Sequence, residues 1–171
     1  MCVINMARGL DRDERHSRSE EFDIDETKHR YTSRALRALV PQSLAHRALS
    51  VDVSTDRTVY DIGDVIEITI EIGNRLPIPV TIVTTSQRLW GWAIDGHLEA
   101  SDERLYNPNR RNSFELDGFE TKRFTVRWDG RVKRTGSPTR WVPADPGEHE
   151  IRAFVPTSDE PRSDSTTVTL R

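Results

Sequence analysis

From Leu49 to the C-terminus, apolar residues alternate with polar ones at a period of two. Leu49, Val51 and Val53 alternate with Ser50, Asp52 and Ser54; Ile66, Ile68, Ile70 and Ile72 alternate with Glu67, Thr69 and Glu71. Successive side chains of a strand point to opposite faces, so each run predicts a strand with one buried and one wet face. Further strands are expected over residues 80–84, 88–94, 97–100, 113–116, 121–128, 149–155 and 165–170. In the later ones Phe124, Val126 and Trp128, then Ile151, Ala153 and Val155, then Thr166, Val168 and Leu170 are expected to face inward.

Turn chemistry separates these runs. Tyr60 to Asp64 reads as a turn, residues 74–79 as a proline-containing connection, and Asp95-Gly96 as a two-residue hairpin. In Asp145-Pro146-Gly147-Glu148, proline presets φ at one turn position and glycine supplies a positive φ at the next. The stretch 131–143 reads as a loop broken by Gly136-Ser137-Pro138. Many short strands with such turns, and no crossover helices between them, predict an all-β fold: an immunoglobulin-like antiparallel β-sandwich, preferred over a closed barrel.

Upstream the pattern differs. Residues 1–29 are polar and aperiodic, which predicts a disordered leader, with Met6 an alternative initiator. Residues 30–48 form a short basic helical segment: Ser33 can cap it, and Leu36, Leu39, Val40 and Leu44 recur at helical spacing. Pro41 interrupts, so two short turns are expected, the second starting near Pro41 or Gln42 with proline at its first position. The narrow stripe is expected to dock on the β domain, residues 49–171, rather than to lie on a membrane.

Of the 171 residues, 35% are hydrophobic and 31% charged, and the net charge of -3 is too small to imply a polyanionic partner or an acidic tail. No run reaches the roughly 20 apolar residues of a membrane span, and the N-terminus lacks a secretory pattern, so the expected location is cytoplasmic. One cysteine, Cys2, excludes an intramolecular disulfide. Lysine occurs only at Lys28, Lys122 and Lys133 amid abundant arginine, as in proteins from GC-rich genomes.

The stretches NRLPIPVTI…QRLWGWAIDGHLEASDE and GRVKRTG…TRWVPADPGEHEIRAFV resemble a family of small uncharacterised domains from salt-loving archaea. More distantly, the order of GDVIEITIEIGN, a tryptophan strand, a Phe114/Leu116 strand and a PGE turn is similar to the intracellular proteinase inhibitors of Bacillus. That likeness implies an immunoglobulin-like sandwich and, by analogy, inhibition of a cytoplasmic subtilisin-type protease. No segment matches an inhibitor's reactive loop, so no inhibitory residue carries over.

Catalytic chemistry is poorly represented. No Gly-x-Ser-x-Gly elbow occurs, and His97 and His149 read as solvent-facing turn histidines without an orienting partner. Asp56, Asp61 and Asp64 are loop carboxylates that could gather around calcium, but their spacing fits no EF-hand, and Asp61 is instead expected to bond its own backbone and shape the turn. No zinc cluster or phosphate loop is present, and neither cofactor nor metal is expected.

Binding residues are better represented. Arg131, Lys133, Arg134 and Arg140 lie near Trp141, and Arg123 and Arg127 share a strand face. Basic residues with aromatics suit single-stranded nucleic acid, but nearby acids favour arginine packing on the sheet surface. Trp90 and Trp92 point one way along their strand, and the hairpin would pair Ile94 with His97, Trp92 with Glu99 and Trp90 with Ser101. Core packing of both tryptophans is preferred to an exposed platform. The expected function is a non-enzymatic interaction module whose partner is another protein, with binding residues Trp90, Trp92, Arg131, Lys133, Arg134, Arg140 and Trp141. Residues 101–112 and the 131–143 loop are the expected surfaces; protease inhibition and nucleic-acid binding are the alternatives.

Overall fold

The computed structural model describes residues 40–101, 110–158 and 161–171, which all lie in the unit Arg37–Arg171. A single described helix, α1 (Gln42–Ala48), precedes twelve strands. These are β1 (Leu49–Thr55), β2 (Val59–Tyr60), β3 (Ile66–Asn74), β4 (Val80–Thr84), β5 (Gly91–Ile94), β6 (His97–Leu98), β7 (Asn112–Leu116), β8 (Thr121–Trp128), β9 (Arg131–Arg134), β10 (Arg140–Pro143), β11 (Gly147–Val155) and β12 (Arg162–Leu170).

Two sheets form the sandwich, which is immunoglobulin-like. One has the order β1-β3-β8 and the other β2-β12-β11-β5-β6; β4 and β7 make a ribbon, as do β9 and β10. The central strand β3 shows why the layers face each other. Ile66, Ile68, Ile70 and Ile72 are at most 2% exposed, and on the opposite face Glu67 and Glu71 stand across from Arg127 and Arg123 of β8. Each buried isoleucine contributes about 1.5–3 kcal/mol relative to exposure. The facing sheet supplies Ile151, Val155, Val168 and Leu170, so the core lies between the alternating faces read from sequence. Phe124 and Val126 are half-buried and Trp128 is buried, which fits the expected inward face of β8.

The Asp95-Gly96 hairpin forms with φ of 48° and 79°, the double positive φ of a type I′ turn. Gly147 likewise has a positive φ of 136°. Asn74 ties two further connections together. Its Nδ2 donates to the Ile78 and Asp117 carbonyls, both at 2.8 Å, and its Oδ1 accepts from the Leu76 N–H at 3.0 Å. Gly118 packs beside that junction: a Cβ there would sit 2.2 Å from the Pro77 carbonyl oxygen.

Several expectations are corrected. The 131–143 stretch is the β9–β10 hairpin, in which Val132 pairs with Val142 and is buried while charged neighbours hide the alternation. Tyr60 belongs to β2, parallel to β12, because its buried ring anchors there and its hydroxyl donates to Asp56 Oδ1 at 2.6 Å. Pro41 precedes the helix rather than opening it, and its carbonyl accepts from the Leu44 and Ala45 N–H groups. Leu44 is 44% exposed; Ala45 and Ala48 fill the docking face because small residues let the short helix lie close. Gln42 fastens this helix to β4: its Nε2 donates to the Thr81 carbonyl at 3.0 Å, and its Oε1 accepts from the Val83 N–H at 3.3 Å. Ser33, Leu36, Leu39 and the 1–29 leader lie outside the described residues.

Candidate binding cleft

An open cleft of about 530 Å3 lies between the C-terminal end of β8 and residues Arg131 and Trp141 of the β9–β10 hairpin. Its walls are Val65, Trp92, Ala100, Trp128 and Trp141, and its polar groups are Glu99, Arg127, Asp129 and Arg131. Trp128 is buried, with Nε1 donating to the Arg131 carbonyl at 2.7 Å, while the Arg131 N–H donates to Asp129 Oδ1 at 3.2 Å. Trp141 is 51% exposed at the rim. Glu99 forms an ion pair with Arg88.

Three of the seven expected binding residues, Trp92, Arg131 and Trp141, meet in this cleft. Trp90 does not. It stacks on Phe124 with ring centroids 4.7 Å apart and lines a second pocket of about 270 Å3 with Ile72, Leu89, Phe114, Lys122 and Phe124. Both Trp90 and Trp92 are half-buried and pack against the core, in keeping with the preferred reading. Lys133, Arg134 and Arg140 lie along the hairpin beside the cleft, and Arg134 Nη1 is 3.3 Å from His97 Nε2. The expected Trp90–Ser101 pair does not form. Glu99 and Ala100 turn with positive φ, which leads Ser101 into a parallel bridge with Lys133. Most of the 101–112 segment is outside the described residues.

On the outer face of β8, Arg123 pairs with Glu71, and Arg127, which also lines the cleft, lies 3.6 Å from Glu67. Among the described residues the cation–π contact is Arg57 over Tyr60, not an arginine over tryptophan. The loop carboxylates are also engaged. Asp56 meets Tyr60 and Arg57, Asp61 accepts from Arg171, and Asp64 accepts from the Asp61 N–H. The Tyr60 hydroxyl foremost, with Arg57, holds the Asp56 carboxyl below its ordinary pKa. Among the described residues no three His, Cys, Asp or Glu groups gather as metal ligands.

His149 overturns its expectation. It is only 9% exposed, lies edge-on to Trp128, and is held by Asp95 Oδ2 at 2.6 Å and the Asp145 carbonyl at 2.7 Å. Both partners are acceptors, so both ring nitrogens donate and the imidazolium is the form the site accommodates. Burial works against that charge, but the hydrogen bonds His149 donates to Asp95 and Asp145 outweigh it and raise the pKa above its ordinary 6.5. The signal missed in sequence was the hairpin: Asp95, also accepting from the Glu150 N–H, is brought beside His149 only by sheet pairing.

Over residues 37–171 the chain matches the family model DUF7974, described as a family of unknown function. The chain belongs to that family. No curated protein matches this DUF7974 member in sequence. It is similar to the CARDB domain of the PF1109 protein from Pyrococcus furiosus, solved in complex with di-metal ions: 17% identity, 71% of this chain, 91% of that one, TM-score 0.43. It is also similar to the Bacillus subtilis sporulation control protein Spo0M, with 12% identity, 72% of this chain, 49% of that one and a TM-score of 0.44. A β-glucosidase, EmGH1 from Erythrobacter marinus, gives 15% identity and a TM-score of 0.45 over 72% of this chain but 15% of its own. Among the described residues of the DUF7974 chain, no helix is long and apolar enough to cross a membrane.

Proposed function

We propose that this DUF7974 domain is a non-enzymatic module that binds another protein through the Trp92–Trp128–Trp141 cleft. The half-exposed Trp141 at the rim carries the reading. Tryptophan and arginine dominate binding hot spots because a large flat side chain gains contact area at little conformational cost. Here Trp141 and Arg131 flank a cleft whose floor, Trp128, is already locked by its hydrogen bond to the Arg131 carbonyl. A preorganised floor lowers the ordering cost of association.

The test compares wild-type protein with Trp141→Ala, each immobilised and exposed to cytoplasmic extract of its source. A protein retained by the first and lost from the second supports the cleft. Identical retention by both removes it, and stoichiometric inhibition of a subtilisin-type protease would transfer the function to the inhibitor reading.

A further inference from the structure

β8 ends the β1-β3-β8 sheet. Alternate backbone N–H and C=O groups of an antiparallel strand point away from its partner, so a terminal strand presents a row of them. Among the described residues, the backbone of Thr121–Trp128 pairs with β3 and with no other element. Along this edge Lys122 is the only lysine, and no proline or glycine interrupts the eight residues.

The two pockets open at opposite ends of this one strand. The smaller uses Lys122 and Phe124, and the larger uses Arg127 and Trp128. Trp90, just before β5, and Trp92, within it, divide between them in the same order. At about 3.4 Å per residue, Phe124 and Trp128 stand roughly 14 Å apart, the separation of positions i and i+4 on one face of a strand.

Resting on the binding-module reading, we infer that an extended peptide segment of the partner adds as a strand to the free edge of β8, seating two apolar side chains four residues apart in the two pockets. Backbone hydrogen bonds would supply affinity, and the alternate side chains specificity. The chemistry of the guest follows from what β8 accepts on its other side. There β3 presents Ile66-Glu67-Ile68-Thr69-Ile70-Glu71-Ile72, isoleucines inward and glutamates against Arg127 and Arg123. A guanidinium has five donors, so each arginine can take a second carboxylate from the open side. The guest therefore alternates apolar residues with acidic ones. A second copy of β8 does not fit, because antiparallel pairing would set arginine against arginine on the outer face.

The probe is a fluorescein-labelled synthetic copy of residues 65–74, titrated against the full chain by fluorescence anisotropy. Saturable binding is expected, weakened about tenfold when both glutamates become lysine. N-methylation of one alternate set of peptide amides should abolish binding, and methylation of the complementary set should leave it within about threefold, because only one set faces β8. Amide NMR signals of Thr121–Trp128 should shift on binding. No saturation at millimolar peptide, equal sensitivity to both methylation sets, or concentration-dependent dimerisation through β8 overturns strand addition. Failure here with continued Trp141-dependent capture of a partner rejects the edge and leaves the cleft; loss of that dependence rejects the cleft itself.

Discussion

Replacing Asn74 by alanine removes three hydrogen bonds at once and leaves their backbone partners facing a buried gap. Asn74 is 4% exposed, and its amide holds the Ile78 and Asp117 carbonyls and the Leu76 N–H, joining the β3–β4 connection to the β7–β8 turn. A buried polar group left without a partner costs about 1–3 kcal/mol, so Asn74→Ala should lose about 3 kcal/mol even if water reaches some of the three. For a domain of this size each 1 kcal/mol lowers Tm by about 2–4 °C, which gives a drop of roughly 6–12 °C. Calorimetry and urea unfolding of both proteins measure it. Asn74→Asp sharpens the test, since it keeps shape and acceptor but turns a carboxylate towards two carbonyls. It should be at least as destabilising as alanine at neutral pH. A loss under about 1 kcal/mol for alanine, or an aspartate variant as stable as wild type, would refute the bracing role.

Three further outcomes follow from geometry already described. His149 has its pKa raised above 6.5, so its contribution to stability is full below the unfolded value and declines as pH rises through the folded one; His149→Gln should flatten the pH dependence of urea midpoints, and an NMR titration giving a pKa below 6.5 would contradict it. Gly118→Ala must move the Pro77 backbone and should cost about 1–3 kcal/mol by thermal unfolding; an unchanged Tm would show that the turn yields freely. Trp141 should dominate acrylamide quenching of tryptophan fluorescence, so Trp141→Phe should remove most of the accessible emission; persistence of that emission would place the exposed indole elsewhere.

The strands that read clearly in sequence were those whose apolar residues alternate without interruption. The isoleucines of β3 and the Phe124-Val126-Trp128 face of β8 needed no tertiary information, because burial of one face imposes the period of two. The β9–β10 hairpin escaped because Val132 and Val142 sit among arginine, lysine and tryptophan, where only the pairing with each other reveals the strand. The cleft escaped in part for the same reason. Trp92 and Trp141 are about fifty residues apart in sequence and meet only once that hairpin folds over β8. Asp95 and His149 likewise look like two separate turn residues until β5 pairs with β11. Local pattern reports burial, whereas these sites depend on which distant segments become neighbours.

Gln42 carries a consequence for self-association along the open side of β4. One side-chain amide presents a donor and an acceptor with the spacing of a peptide unit, and it occupies the Thr81 and Val83 groups that another molecule's backbone would otherwise seek. The helix thus acts as a clasp against stacking along that border. A glutamate in its place would lose the donor, expose one carbonyl, and leave the border half open to fibrous self-assembly.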